Sequence, residues 1–286
     1  QNLIRKNIDD RISKVLNHGQ YILGPEVKEL ESNLSLFSKS KYVLCCSSGT
    51  DALLLGLISL GLKPNDGVIV PSFTFASTAE AVCMLGGVPF FSDVNIDTFN
   101  ICENSILKSI SEAKRQGVKL KGIISVGLFG QPCDIDNIID IANRNKLWVL
   151  DDAAQSFGSS YKNKISGNLC DISATSFFPA KPLGCYGDGG AFFTNNEHYY
   201  KIAYSAHLHG MGSNKYEYDR IGMNGRIDTI QAAILIEKLK IFKSELLKRN
   251  KLAEFYKKQF LDLGTNIDLP MVISGATSSW AQFTIK

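Results

Sequence analysis

The chain has 286 residues, 44% of them hydrophobic and 21% charged. That length suggests about two domains, or one large α/β domain with an appendage, and the composition excludes a wholly disordered chain. A formal charge of +3 is too small a surplus to point to nucleic acid or an anionic membrane, and the longest apolar stretch, Ala52 to Leu62, is far too short to span a bilayer.

Ile4, Ile8, Ile12, Val15 and Leu16 recur at helical spacing and predict an N-terminal helical arm. Pro25 opens a second helix with an apolar face of Val27, Leu30, Leu34 and Phe37. A strand at Tyr42 to Cys46 precedes a helix from about Thr50 to Leu60, and a strand at Gly67 to Pro71 precedes one from about Ser77 to Leu85. Val88 to Ser92 reads as a third strand. A helix over 103–116 leads to the strand Gly122 to Val126, and a helix over 135–145 to the strand Leu147 to Leu150. Ile172 to Phe178 and Gly190 to Thr194 are further strands, followed by a helix over 197–208. Strands apolar on both faces, alternating with helices, predict an α/β fold whose mostly parallel sheet is covered on both sides.

From Arg226 the pattern changes to one long helix ending at Phe242 and another ending near Phe260. Gly264 and Pro270 then break the helix, and Trp280 to Ile285 reads as β-like. The expected division is a large α/β domain over residues 1–242 and, over 243–286, the start of a small C-terminal domain whose remainder is absent.

Seven cysteines, an odd number without a C-x-x-C spacing, read as thiols of a reducing cytoplasm. No charged-then-apolar leader opens the chain, so a cytoplasmic protein is expected. His207 and His209 form the one close His pair and have no Cys at finger spacing, so no metal is expected.

In sheets of this kind ligands collect beyond the carboxyl ends of the strands. Lys181 sits there, in the turn after a buried strand and between Pro179 and Pro182. A lysine on a rigid apolar turn is a candidate Schiff-base amine, because desolvation frees its lone pair; pairing with a surface carboxylate is the bland alternative. Asp151 and Asp152 follow the strand that ends at Leu150. They point to opposite sides, so one of them can hold a cation, either a pyridinium nitrogen or a divalent metal. Ser47-Ser-Gly-Thr-Asp51, between strand and helix, offers free N–H groups for a phosphate, although Ser48 or Thr50 would serve equally as a helix cap. Phe73 or Phe75 supplies an aromatic plate.

The stretches GQYILGPEVKELE, SSGTDALLLGL, PSFTFASTAE, DDAAQSFG, TSFFPAKPLGCYGDGGA and GMNGRIDTIQAAIL, from about residue 18 to 242, resemble the DegT/StrS-type sugar aminotransferases. These are pyridoxal phosphate enzymes of fold type I, the aspartate-aminotransferase fold. The lysine segment most resembles the branch acting on UDP-linked 3-keto-2-acetamido glucuronic acid. The resemblance implies that Lys181 carries the cofactor covalently, that Asp152 pairs with the pyridine nitrogen, and that Gln155 sits by the ring's phenolic oxygen. It implies that Phe75 stacks on the ring and that Gly49, Thr50 and Ser176 hold the phosphate. Asn224 would reach the phosphate of a neighbouring subunit and Arg226 its sugar-nucleotide pocket, which makes the active unit a homodimer with shared sites. Tyr21 and Tyr186 would line the substrate pocket. The implied reaction moves an amino group from glutamate to a keto sugar nucleotide for surface-glycan synthesis.

Four alternatives stand beside this reading. A nicotinamide-dependent oxidoreductase needs a Gly-rich dinucleotide loop, which the sequence lacks. A non-catalytic pyridoxal-binding regulator fits the fold but not the joint presence of Lys181, Asp152 and Gln155. An amino-acid aminotransferase, or a 4-keto sugar aminotransferase of the same family, would share the cofactor site.

Overall fold

The computed structural model describes residues 2–214, 216–264 and 266–286. Two helices, α1 (Arg5–His18) and α2 (Pro25–Ser38), open the chain. Pro25 occupies the first turn of α2, where the missing N–H costs nothing. The elements β1 (Tyr42–Cys46), α3 (Gly49–Ser59), β2 (Gly67–Pro71), α4 (Ser77–Met84), β3 (Val88–Ser92), α5 (Glu103–Arg115), β4 (Leu120–Val126), α6 (Ile135–Asn145) and β5 (Trp148–Asp152) then alternate. A small hairpin, β6 (Ser160–Tyr161) and β7 (Lys164–Ile165), precedes β8 (Ile172–Ser176), β9 (Gly190–Thr194), α7 (Glu197–Ala206) and α8 (Thr229–Asp262).

Seven strands form one sheet in the order β1-β9-β8-β5-β4-β2-β3. All neighbours pair in parallel except β9, which runs against both β1 and β8. The strands alternate their side chains between two cores. On one face Val68, Val70, Ile124, Leu150 and Phe192 pack under Leu53, Leu55 and Leu57 of α3. On the other, Ile69, Ile123 and Val149 pack against Ile138 and Ile141 of α6, while Val43, Cys45 and Phe193 pack against α2 and α8. The expected α/β architecture with a mostly parallel, doubly covered sheet is what the chain forms.

Two expectations change at the C-terminal end. α8 is a single helix of 34 residues that begins at Thr229 and passes Phe242 without interruption. Phe242 is fully buried among Phe37 and Phe157, so it anchors the helix instead of ending it. Trp280 to Ile285 forms no strand. Trp280 takes a left-handed φ of 49°, which breaks an extended run, and its ring packs on Phe283. Phe283 packs in turn on Tyr256 of α8. This segment folds back on the sheet unit, the Thr277 amide donating to Ser160 O and the Ser279 amide to Gly130 O, both at 2.8 Å.

Phe157 joins these parts: it stacks on Phe193 of the sheet and on Phe242 of α8, with ring centroids 5.5 and 6.0 Å apart. Phe242→Ala is expected to lower the unfolding free energy by about 3–5 kcal/mol. A denaturant titration that moves by less than ~1 kcal/mol would show that α8 does not depend on this cluster.

Candidate active site

A cleft of about 490 Å³ lies at the carboxyl ends of the strands and is lined by Ser48, Gly49, Thr50, Phe75, Asp152, Gln155, Ser176 and Lys181 among others. α3 starts at its floor. Ser48 caps the helix, its Oγ accepting the Asp51 amide at 3.0 Å. Gly49 and Thr50 line the cleft from the first turn, where an α-helix supplies its amides no partner and its dipole has its positive end. A Cβ on Gly49 would meet Ser176 Cβ at 2.6 Å, so the missing side chain is what lets the helix start touch the end of β8.

Asp152 closes β5 on the same face as Leu150 and is 5% exposed. Its Oδ2 accepts from Thr78 Oγ1 at 3.0 Å and its Oδ1 from the Ala154 amide at 3.1 Å. Burial raises the pKa of this carboxyl, and those two donors together with the charge of Lys181 offset part of the rise. Lys181 sits in the turn after β8, its amide donating to Phe178 O at 2.8 Å. Its amine is half-buried; burial lowers its pKa and the Asp152 charge pulls it partly back. A larger fraction is therefore unprotonated near neutral pH than for an exposed lysine.

Both acids belong to β5 itself, not to the turn after it as the sequence suggested. Asp151 points to the opposite face, where it is 1% exposed and stands in register with Ser125 of β4 and Ser173 of β8. Neither carboxylate oxygen has a well-formed hydrogen bond. Burial, then the charge of Asp152, lift its pKa to about 7, with the neighbouring serines pulling the other way. Two adjacent acids are thus divided, one into the cleft and one into a dry layer.

Of the two candidate plates, Phe75 lines the cleft, whereas Phe73 packs on Phe99 and Phe129. Gln155 lines it too, its Oε1 accepting the Phe129 amide at 2.9 Å. Asn224, Arg226, Tyr21 and Tyr186 do not line it. Asn224 and Arg226 bond to each other, Nε to Oδ1 at 3.0 Å, on a segment that bridges the end of β1. The Tyr186 ring lies under Lys238 Nζ at 5.3 Å, and Tyr21 is 49% exposed beside the start of α8. The sequence reading missed Thr78, Asp188 and Gln282. Thr78 was legible only as a hydroxyl near a strand end, and Gln282 arrives from a segment whose return to the cleft no local pattern signals. Among the described residues no group of three or more His, Cys, Asp or Glu is placed to hold a metal ion.

An α/β sheet with a helix N-terminus, a buried acid and a desolvated lysine at one edge defines an enzyme class that binds a phosphorylated cofactor. Residues 2–286 match the DegT/DnrJ/EryC1/StrS aminotransferase family, and the chain belongs to it. It is 44% identical, over 99% of its length and 76% of the relative's, to the UDP-2-acetamido-2-deoxy-3-oxo-D-glucuronate aminotransferase of Pseudomonas aeruginosa. It is 35% identical to the pleiotropic regulatory protein of Geobacillus stearothermophilus, covering 96% of this chain and 72% of that one. Among solved structures, a DegT DnrJ EryC1 StrS aminotransferase from Brucella abortus superposes with a TM-score of 0.96 at 42% identity, covering 99% of this chain and 76% of that one.

Asp151→Asn tests the division of the two acids. A carboxyl whose pKa is raised to about 7 on folding gives its full stability below the unfolded value near ~4 and loses it as pH rises toward 7. The variant should therefore gain on the wild type between pH ~4 and ~7 and hold that gain above. Parallel denaturation midpoints from pH 5 to 8 would contradict it.

Proposed function

We propose that this chain is a pyridoxal 5'-phosphate-dependent aminotransferase that moves an amino group from glutamate to a keto sugar nucleotide. A UDP-linked 3-keto-2-acetamido uronic acid is the acceptor that the reading favours. One observation carries the proposal: a half-buried lysine and a buried acid face one cleft whose floor is a helix N-terminus. The set fits this cofactor. The first turn of α3 and Ser176 suit a phosphate, Asp152 a protonated ring nitrogen, Phe75 the ring face, and Lys181 the carbonyl carbon. The substrate class is supported by the Pseudomonas relative.

When bound, pyridoxal phosphate supplies the electron sink for breaking a C–H bond beside an amine. The remaining chemistry belongs to the chain. Gly49 and Thr50 amides neutralise phosphate charge and fix the register of the cofactor. Asp152 keeps a negative charge at the far end of the cleft. Lys181 is the one amine lining the cleft among the described residues, so it takes the proton from the donor's amine-bearing carbon and delivers one to the acceptor carbon that gains nitrogen. Its lowered pKa suits both directions of transfer. Seven free thiols suit a reducing compartment such as the cytoplasm.

Purified protein given the cofactor should be yellow and bleach with glutamate, and it should then be restored by the correct acceptor from a panel of 3-keto and 4-keto sugar nucleotides. Lys181→Ala should fold, lose that absorbance and turn over about 10²–10⁴-fold more slowly. A Lys181→Ala protein that keeps both the colour and the rate would remove the assignment.

We infer also that the working unit is a homodimer in which Asn224 and Arg226 serve the neighbour's cleft. Both lie outside the cleft of their own chain, shortly before Asp228, which bridges Ile22 in an exposed apolar run, Tyr21-Ile22-Leu23, at 49%, 45% and 42% exposure. An obligate interface should bury more than ~2,000 Å² in total. Mixing inactive Lys181→Ala with inactive Arg226→Ala subunits should restore activity, because a heterodimer regains one intact site. Persistent inactivity after proven exchange would mean that each site is built from one chain.

A further inference from the structure

Thr78 is fully buried in the first turn of α4, and threonines in helices commonly return the hydroxyl to a carbonyl one turn back. This one does not. Its Oγ1 lies 3.0 Å from Asp152 Oδ2 and 3.1 Å from Thr74 Oγ1. An ionised carboxylate can only accept, so Thr78 donates to Asp152. A hydroxyl owns one proton, so the other contact runs from Thr74 to Thr78. The direction of the chain follows: Thr74 O–H to Thr78 O–H to Asp152 carboxylate. Thr74 lines the cleft, on the loop before α4 that also carries Phe75.

The charged and titratable groups facing Asp152 are few. Lys181 comes from the turn after β8, and Asp151 neighbours it along β5 while pointing to the other face. The amide of Ala154 satisfies Oδ1, which leaves Oδ2 dependent on Thr78.

We propose that Thr78, fed by Thr74, is a positioning residue that keeps Asp152 ionised and aimed into the cleft. The proposal rests on the reading of Asp152 as the partner of the cofactor's ring nitrogen. Serine could take the place of Thr78; valine, equal in shape but without a donor, could not. The loss would reach the rate through Asp152, not through substrate binding.

The experiment compares Thr78→Val, Thr78→Ser and Thr74→Val with the wild type. Each variant is judged by affinity of the cofactor-free protein for pyridoxal 5'-phosphate, by pH titration of the lysine-linked absorbance, and by kcat and KM for glutamate. Thr78→Val should weaken cofactor binding. It should shift the absorbance transition to higher pH, since a weaker Asp152 holds less positive charge on the ring. It should lower kcat about 10- to 100-fold with KM within about 2-fold, the scale of a lost hydrogen bond to a charged group. Thr78→Ser should recover kcat to within about 3-fold, and Thr74→Val should fall between. A Thr78→Val protein with unchanged transition and kcat overturns the proposal alone, as does a serine variant as impaired as valine, which would mark the γ-methyl's packing as the cause. A wild type that takes up no pyridoxal 5'-phosphate overturns the parent reading and this one with it.

Discussion

A carboxylate held in a nearly dry cleft has to be kept charged, and much of this molecule is arranged around that requirement at Asp152. Taking a carboxylate out of water favours its neutral form unless donors and an opposite charge compensate. Here an amide, a hydroxyl and a nearby lysine share the task without any of them closing a direct ion pair with the acid. A tight pair would satisfy both charges and leave neither for a ligand. In the looser arrangement neither group is consumed by a direct pair, and both line the cleft.

Rigid surroundings make that balance possible. The loop bearing Gln155 is held three ways: its side-chain oxygen by the Phe129 amide, its carbonyl by Ser279 Oγ at 2.7 Å, and its following turn by Phe157 in the aromatic cluster. Phe129 and Trp280 both take left-handed backbone angles where the C-terminal segment meets this loop. Strained residues persist only where surroundings over-determine them. The long helix α8 supplies that support, since Asn250 accepts from Trp280 Nε1 and Phe242 sits against Phe157.

Most of the sheet was legible because its strands are short apolar runs between helical periods, a contrast that local sequence carries. That Asp152, Lys181 and the start of α3 meet at one cleft was legible for the same reason: each lies at or just after the end of a strand, where ligands collect in this architecture. Position alone could not choose between Phe73 and Phe75, because that depends on which ring is claimed by Phe99 and Phe129. Trp280 to Ile285 looked like a strand because apolar and aromatic residues favour extended backbone; packing on α8 overrode that preference. Thr78 and Gln282 stayed hidden since their roles arise from contacts across the fold. Asn224 and Arg226, proposed to serve a second chain on the family resemblance alone, stand outside the cleft of the single chain.

The reversed strand β9 has a consequence for how the chain is made. β1 leaves the ribosome before the other strands of this sheet, yet its one neighbour in the sheet is β9, which also completes the pairing of β8. Until Gly190–Thr194 has emerged, β1 and the far side of β8 are unsatisfied edges, open to strand addition from other nascent chains. The lysine turn lies between β8 and β9, so the synthesis step that buries those edges also closes the loop on which the amine stands. Quality control acting on incomplete chains would therefore discard molecules without a finished lysine turn along with those without a finished sheet.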